Sequence, residues 1–90
     1  SRLSASEVAR LVEEAQRYAA EDAKRRQAVQ TALRAENAIY LAEQQLEEAT
    51  DEARLMELEE AILSLKAAIS SGESKKIEAG TEELQKISAK

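Results

Sequence analysis

The 90-residue sequence has no cysteine, no histidine, no proline, no tryptophan and no phenylalanine. Without cysteine there is no disulfide, no thiolate nucleophile and no thiolate metal site. Without histidine the commonest general base and metal ligand is gone as well. The two glycines, Gly72 and Gly80, stand far from any strand-like run, so no glycine loop is available to cradle a phosphate. The aromatics are Tyr18 and Tyr40 alone, which leaves a thin core of Ala, Leu, Ile and Val and a modest stability. No apolar run approaches the roughly 18 residues that a membrane span needs, and no signal-peptide pattern opens the chain. These absences suit a reducing compartment, and a cytoplasmic location without membrane contact is expected.

The groups left for catalysis are carboxylates, grouped as Glu47, Glu48, Asp51 and Glu52 and as Glu57, Glu59 and Glu60. On helices such runs are ordinarily solvated faces, and any metal they held would be bound weakly through oxygen alone. The chain is therefore expected not to be an enzyme, and no catalytic, metal or cofactor site is assigned.

What the sequence does contain is charge and helix formers. Lys and Arg number 13 and Asp and Glu 18, a net charge of −5. Residues 1–28 carry six basic and five acidic side chains, whereas residues 29–71 carry three basic and nine acidic ones. An acidic middle repels phosphate, so nucleic acid is not an expected partner. A composition led by Ala, Glu, Leu, Lys, Arg and Gln is that of helical bundles and coiled coils.

The expected fold is all-α and a single domain over 1–90. One long N-terminal helical arm spans 4–49, with a kink left open, and its distal half forms a small three-helix bundle with helices at 51–70 and 74–88. Ser4 followed by Glu7 reads as a capping box, with Leu3 and Val8 placed as a hydrophobic staple. From Glu13 to Ala28 the helix has little to bury and is supported by acid-first pairs four apart, Glu13–Arg17, Glu21–Arg25 and Asp22–Arg26. Each such pair contributes about 0.2–0.5 kcal/mol. Farther on, Ala32, Ala35, Ile39, Ala42 and Leu46 fall on one face.

In the second helix Leu55, Leu58, Ile62, Leu65 and Ile69 form the clearest apolar seam, widened by Met56 and Leu63, with Thr50 as N-cap. The break before Thr50 has neither Gly nor Pro, so fusion of the first two helices stays open. Ser71-Gly72 is a helix stop. Ser74 caps a third helix with the seam Ile77, Leu84 and Ile87, whose interior Gly80 costs about 1 kcal/mol relative to Ala. That helix is expected to be the least stable and to fray at its end.

A second face runs along the first helix. With Asp22 set at zero on a helical wheel, Leu11, Ala15, Tyr18, Val29, Leu33, Glu36 and Tyr40 all lie within about 40° of it. The bundle seam is centred on another side. Two readings are open at this point. Either the strip meets a partner, since mixed aromatic, aliphatic and acidic character suits a reversible interface, or Val29, Leu33 and Tyr40 widen the bundle face and the carboxylates are solvated.

At these residues the chain resembles the helical lid of the seventy-kilodalton heat-shock chaperones of the DnaK type. Leu3-Ser4 with Glu7, Val8, Leu11, Val12, Glu14 and Ala15 is similar to that family's first lid helix. Ala20-Glu21-Asp22 with Arg25 is similar to the start of its long second helix, and Leu46-Glu47-Glu48-Ala49 to that helix's end. Ser71-Gly72-Glu73, Ile77-Glu78 and Glu83-Leu84 are similar to the turn and helix that close its small bundle. The sequence departs from the family in the shorter link after the long helix, which lacks the common Gly or Pro, and in Gly80.

The resemblance implies a fold and a role. In the family the lid closes over a β-sandwich that grips an extended client polypeptide, and a separate ATPase domain controls it. The underside of the long helix latches to sandwich loops through acidic and polar groups. Carried over residue by residue, the latch is Asp22, Glu36 and Tyr40; the wheel angles place beside it a docking stripe of Leu11, Ala15, Tyr18, Val29 and Leu33. The partners implied are the parent's β-sandwich and unfolded clients. The competing reading is a helical dimerisation or scaffold module without a chaperone role, in which two copies associate by helix exchange.

Overall fold

The computed structural model describes residues 2–90, and they form three helices: α1 (Ala5–Glu48), α2 (Glu52–Ser71) and α3 (Ser74–Ala89). The fold is all-α, with a long first helix and two shorter ones packed on its distal half. At 1.5 Å per residue α1 is about 66 Å long, which accounts for most of the 75 Å extent of the molecule. The radius of gyration is 20.7 Å, against about 12 Å for a compact chain of this length. The excess is the proximal half of α1, which projects beyond the bundle.

Local chemistry explains the start of α1. The Ser4 side-chain oxygen accepts the N–H of Glu7 at 3.2 Å, and Glu7 places a carboxylate in the first turn. Along the arm Glu13 pairs with Arg17 at 3.6 Å, Asp22 pairs with Arg26, and Arg10–Glu14 adds a third contact at 4.0 Å. Glu21–Arg25 is not among the pairs formed. These are exposed pairs that bias the helix without anchoring it.

The link between α1 and α2 is a true break. Ala49 and Asp51 adopt extended backbone angles, and Ala49 donates its N–H to the Gln45 carbonyl at 2.9 Å. The α2 N-cap is Asp51 and not Thr50: its carboxylate accepts the Arg54 N–H at 3.3 Å. An Asp at this position satisfies an orphan donor and also complements the helix dipole, an advantage over Thr. Neither Gly nor Pro is needed, because the cap and the packing of α2 back onto α1 define the turn.

At the second turn Gly72 takes the left-handed conformation, φ 73°, and its N–H reaches the Ile69 carbonyl at 3.1 Å. Ser71 donates its hydroxyl to the Ala68 carbonyl and accepts the Glu73 N–H. The serine that acts at this junction is therefore Ser71. Ser74 is already the first helical residue, and the N-cap position is held by Glu73 without a side-chain bond.

The core sits among the three helices: Ala35, Ala38, Ile39 and Ala42 of α1, Leu58, Ile62 and Leu65 of α2, and Ile77, Leu84 and Ile87 of α3. Leu46 and Ile69 pack at its margin. Met56 and Leu63 do not widen the α2 seam, since they are 63% and 67% exposed. Both lie on the side of α2 that no other helix covers. Thr81 fills the gap in the α3 seam between Ile77 and Leu84: it is buried, and its hydroxyl donates to the Ile77 carbonyl at 2.7 Å. One residue earlier on α3, a Cβ placed on Gly80 would lie 3.0 Å from Leu65 Cδ1 and 3.6 Å from Leu65 Cα. Gly80 thus lets α3 approach α2 at the level of the buried Leu65, which accounts for a helix breaker inside a helix.

The expected fraying of α3 is countered by Arg54. Its guanidinium donates to the Ile87 carbonyl at 2.7 Å, to the Ser88 carbonyl at 3.4 Å and to Gln45 Oε1 at 3.3 Å. One side chain from the first turn of α2 therefore ties the last turn of α3 to the last turn of α1. It also places positive charge at carbonyls that a helix end leaves unpaired.

Candidate functional site: the uncovered face of the long helix

The described part of α1 has no interruption, so its helical phase is kept from Leu11 to Tyr40. Phase retention brings the eight strip residues onto one side over a length of about 44 Å. From Ala5 to Gln30 every residue is exposed except Asp22, which is half-buried. Tyr18 is 69% exposed, and Leu33 and Tyr40 are each 60% exposed. Leu11 and Val29 are exposed too, as are Ala15 and Glu36. Leu33, Glu36 and Tyr40 share their turns with the buried Ala35, Ala38 and Ile39 yet point away from the bundle. The strip and the core seam are separate faces of one helix, and α2 and α3 cover only the second.

Each polar group of the strip has a defined state. The Asp22 carboxylate accepts from Arg26 Nε at 3.1 Å and is also bonded by Arg26 Nη2. A partner cation would have to share or replace Arg26. Glu36 has no salt-bridge partner among the described residues. The Tyr40 hydroxyl accepts from Gln44 Nε2 at 3.0 Å, which leaves its own proton free to donate. The strip therefore offers one free carboxylate, one internally paired carboxylate and one phenolic donor among medium-sized apolar groups. It has the chemistry of a reversible binding face and no arrangement of nucleophile, base and oxyanion donor.

Sequence reasoning missed two features beside this face. Val8, Val12 and Leu41 are exposed and flank the strip on one side, as their wheel angles show once the helix is known to be straight. On the same side a groove between α1 and α3 is lined by Ala38 and Leu41 with Gln85, Ser88 and Ala89. Its Ser88 hydroxyl oxygen is buried without a hydrogen-bond partner. No sequence signal marks that groove, because it exists only once α3 is laid beside α1. Among the described residues no group of three His, Cys, Asp or Glu side chains is placed to hold a metal ion, and no helix is long and apolar enough to cross a membrane.

No solved structure matches the chain. A family comparison does: the Hsp70 protein family matches residues 1–90, the whole of the sequence. The all-helical chain with its uncovered arm therefore belongs to the Hsp70 family of chaperones.

Proposed function

We propose that this chain is the helical lid of an Hsp70-family substrate-binding domain. In this reading the arm of α1 lies on a β-sandwich of the parent protein and closes over a bound unfolded polypeptide. An ATPase domain outside these residues sets whether it is open or closed. The observation that carries the reading is the strip from Leu11 to Tyr40, solvent-exposed along a straight helix and turned away from the bundle. Asp22, Glu36 and Tyr40 serve as the latch, and Leu11, Ala15, Tyr18, Val29 and Leu33 as the docking stripe.

The lid's contribution is kinetic. It slows escape of the client while the sandwich makes most of the peptide contacts. The lid itself is not an enzyme; steady ATP hydrolysis by the pure 90-residue chain would contradict that. The proposed location is the cytoplasm.

The test joins this segment to its cognate sandwich and replaces Asp22 and Glu36 with Ala. Peptide release should accelerate while the melting of the bundle hardly changes, because Asp22–Arg26 is an exposed pair worth only tenths of a kcal/mol. Release at the original rate refutes the latch. The isolated chain is expected to bind no extended peptide tightly, and saturable micromolar binding would count against the lid reading. The second reading, a helical dimerisation or scaffold module, is favoured by the same uncovered apolar residues. Light scattering separates the two: a tight dimer that survives dilution supports the module, and a monomer at micromolar concentration supports the lid.

A further inference from the structure

The bundle has an uncovered face of its own, on the side of α2 away from the core. Met56 and Leu63 are more exposed than any large apolar side chain of α1 except Tyr18. With Leu58 set at zero on the α2 wheel, Met56, Glu60, Leu63 and Ala67 fall at about 140–200°. They form one outward stripe that the lid reading does not use.

Beside this stripe runs a groove between α2 and α3. Ala61, Gly80 and Ile87 make its floor, and Glu57, Glu60, Ser64 and Glu83 stand exposed along its rim. Glu60 belongs to both features, so stripe and groove are one continuous surface. No residue of α1 lines the groove. A partner seated there leaves the strip of α1 free.

The rim of the groove is acidic. Glu60 and Glu83 have no salt-bridge partner among the described residues, and Glu57 has the terminal Lys90 at 3.8 Å. The neighbouring cations are otherwise placed. Arg54 is bonded to the Ile87 and Ser88 carbonyls and to Gln45, and Lys76 to Glu73 at 2.7 Å. Lys66 lies about 120° or more round α2 from Glu57 and Glu60, on the flank that carries Glu52 and Glu59. Lys86 stands on the outer side of α3, away from Leu84. We propose that this face takes a basic amphipathic helix of another protein. Its apolar side chains lie on Met56, Leu63 and the Ala61–Gly80 floor, and its cations meet Glu57, Glu60 and Glu83.

The backbone explains why the occupant is a helix. The peptide groups of both groove walls are bonded within α2 and α3. An extended segment finds no backbone partner there and leaves its own groups unpaired, whereas a helix brings its bonds with it. The sign of the rim turns away nucleic acid and anionic lipid. Met56 supplies a flexible side chain that adapts to the apolar face it meets. The stripe from Met56 to Ala67 is about 16 Å long, the length of about three turns of a partner helix.

The inference does not rest on the lid reading, and its test uses the 90-residue chain. The probe is a synthetic peptide of about 18 residues, long enough to be helical, with Leu along one face and Lys on both flanks of it. One control has the same composition with its leucines spread round the helix, and another has Glu in place of Lys. The probe should bind saturably at micromolar concentration and gain helix by circular dichroism. Amide resonances of Ala61, Ser64 and Gly80 should shift, and that of Tyr18 should not. Leu63→Lys, and Glu60→Lys combined with Glu83→Lys, change exposed positions and should leave the chain's helicity intact. Each should weaken binding about tenfold or more, while Leu33→Glu on the arm should not. Equal binding of the peptide with spread leucines would report charge attraction alone and overturns the proposal. So does binding of the Glu peptide, undiminished binding to either groove variant, or no saturable binding of the probe.

Discussion

Replacing Gly80 with Ala sets two effects of known sign against each other. In an exposed helix interior the change would stabilise by about 1 kcal/mol, because Gly carries the larger backbone entropy loss. Here the added methyl meets Leu65, with Cδ1 at 3.0 Å and the Cα and Cβ at 3.6 and 3.7 Å. The last two are ordinary contacts. The first is tight, and the Leu65 terminal methyl must give by a few tenths of an ångström. Leu65 is fully buried in the centre of the core and has little room in which to turn. Overpacking of this kind costs about 1–3 kcal/mol.

The difference leaves Gly80→Ala destabilised by about 0–2 kcal/mol. For a chain of this size each kcal/mol corresponds to about 4–8 °C in Tm. Thermal melts followed by far-UV circular dichroism, run beside Ala79→Gly, give the measurement. Ala79 is exposed one residue earlier, so its change reports helix propensity with little packing. Both variants should melt below the parent. A rise in Tm for Gly80→Ala would show that helix propensity governs the position and that the close approach of α2 and α3 is not what requires glycine.

Arg54→Ala should destabilise the bundle by about 2 kcal/mol, because it removes charged bonds to two terminal carbonyls and to Gln45. Lys should restore only part of this, since an ammonium cannot fork across three acceptors, and amide exchange should quicken first in the last turn of α3. Gly72→Ala meets nothing within 4 Å, so its cost is the left-handed backbone alone, about 1–2 kcal/mol. Urea titration of these variants should show lower midpoints at an unchanged slope, the sign that the native packing and the unfolded state are otherwise the same.

Periodicity located the helices, because apolar residues at spacings of three and four can share a face only on a helix. Ile39, Leu58, Ile62, Leu65, Ile77, Leu84 and Ile87 were all legible as seam and all are buried. Elsewhere the sequence was less informative for physical reasons. Met56 and Leu63 sit on the side of α2 away from Leu58, Ile62 and Leu65, and their apolar character alone does not bring a neighbour to that side. Asp51 and Thr50 are both good caps, and only the geometry of the turn chooses between them. Gly80 read as a defect because its reason lies on another helix. Arg54 carried no signal in the sequence, because its three acceptors are far away in sequence or are backbone groups, which composition cannot distinguish. For the candidate site, wheel angles separated the strip from the seam, and a straight α1 carries that separation over its full length. What the strip meets depends on a surface outside the helix.

The arm's helicity under these conditions needs an explanation, because a polar helix with nothing to bury is marginal in water. The costly step in helix formation is the first turn, and propagation then adds one hydrogen bond for each residue fixed. In α1 the nucleus is supplied by the distal half, where Ala35, Ala38, Ile39 and Ala42 are held by α2 and α3. The arm therefore only has to propagate, with acid–base pairs along its length and the Ser4 cap at its far end. The bundle thus acts as the anchor that keeps a strip of about 44 Å ordered before any partner arrives. A partner that binds this strip is spared the entropy of folding it, whether that partner is a β-sandwich or a second copy. Affinity for the strip is consequently tied to bundle stability: a core substitution that loosens α2 or α3 weakens docking at Tyr18, even though Tyr18 touches neither helix.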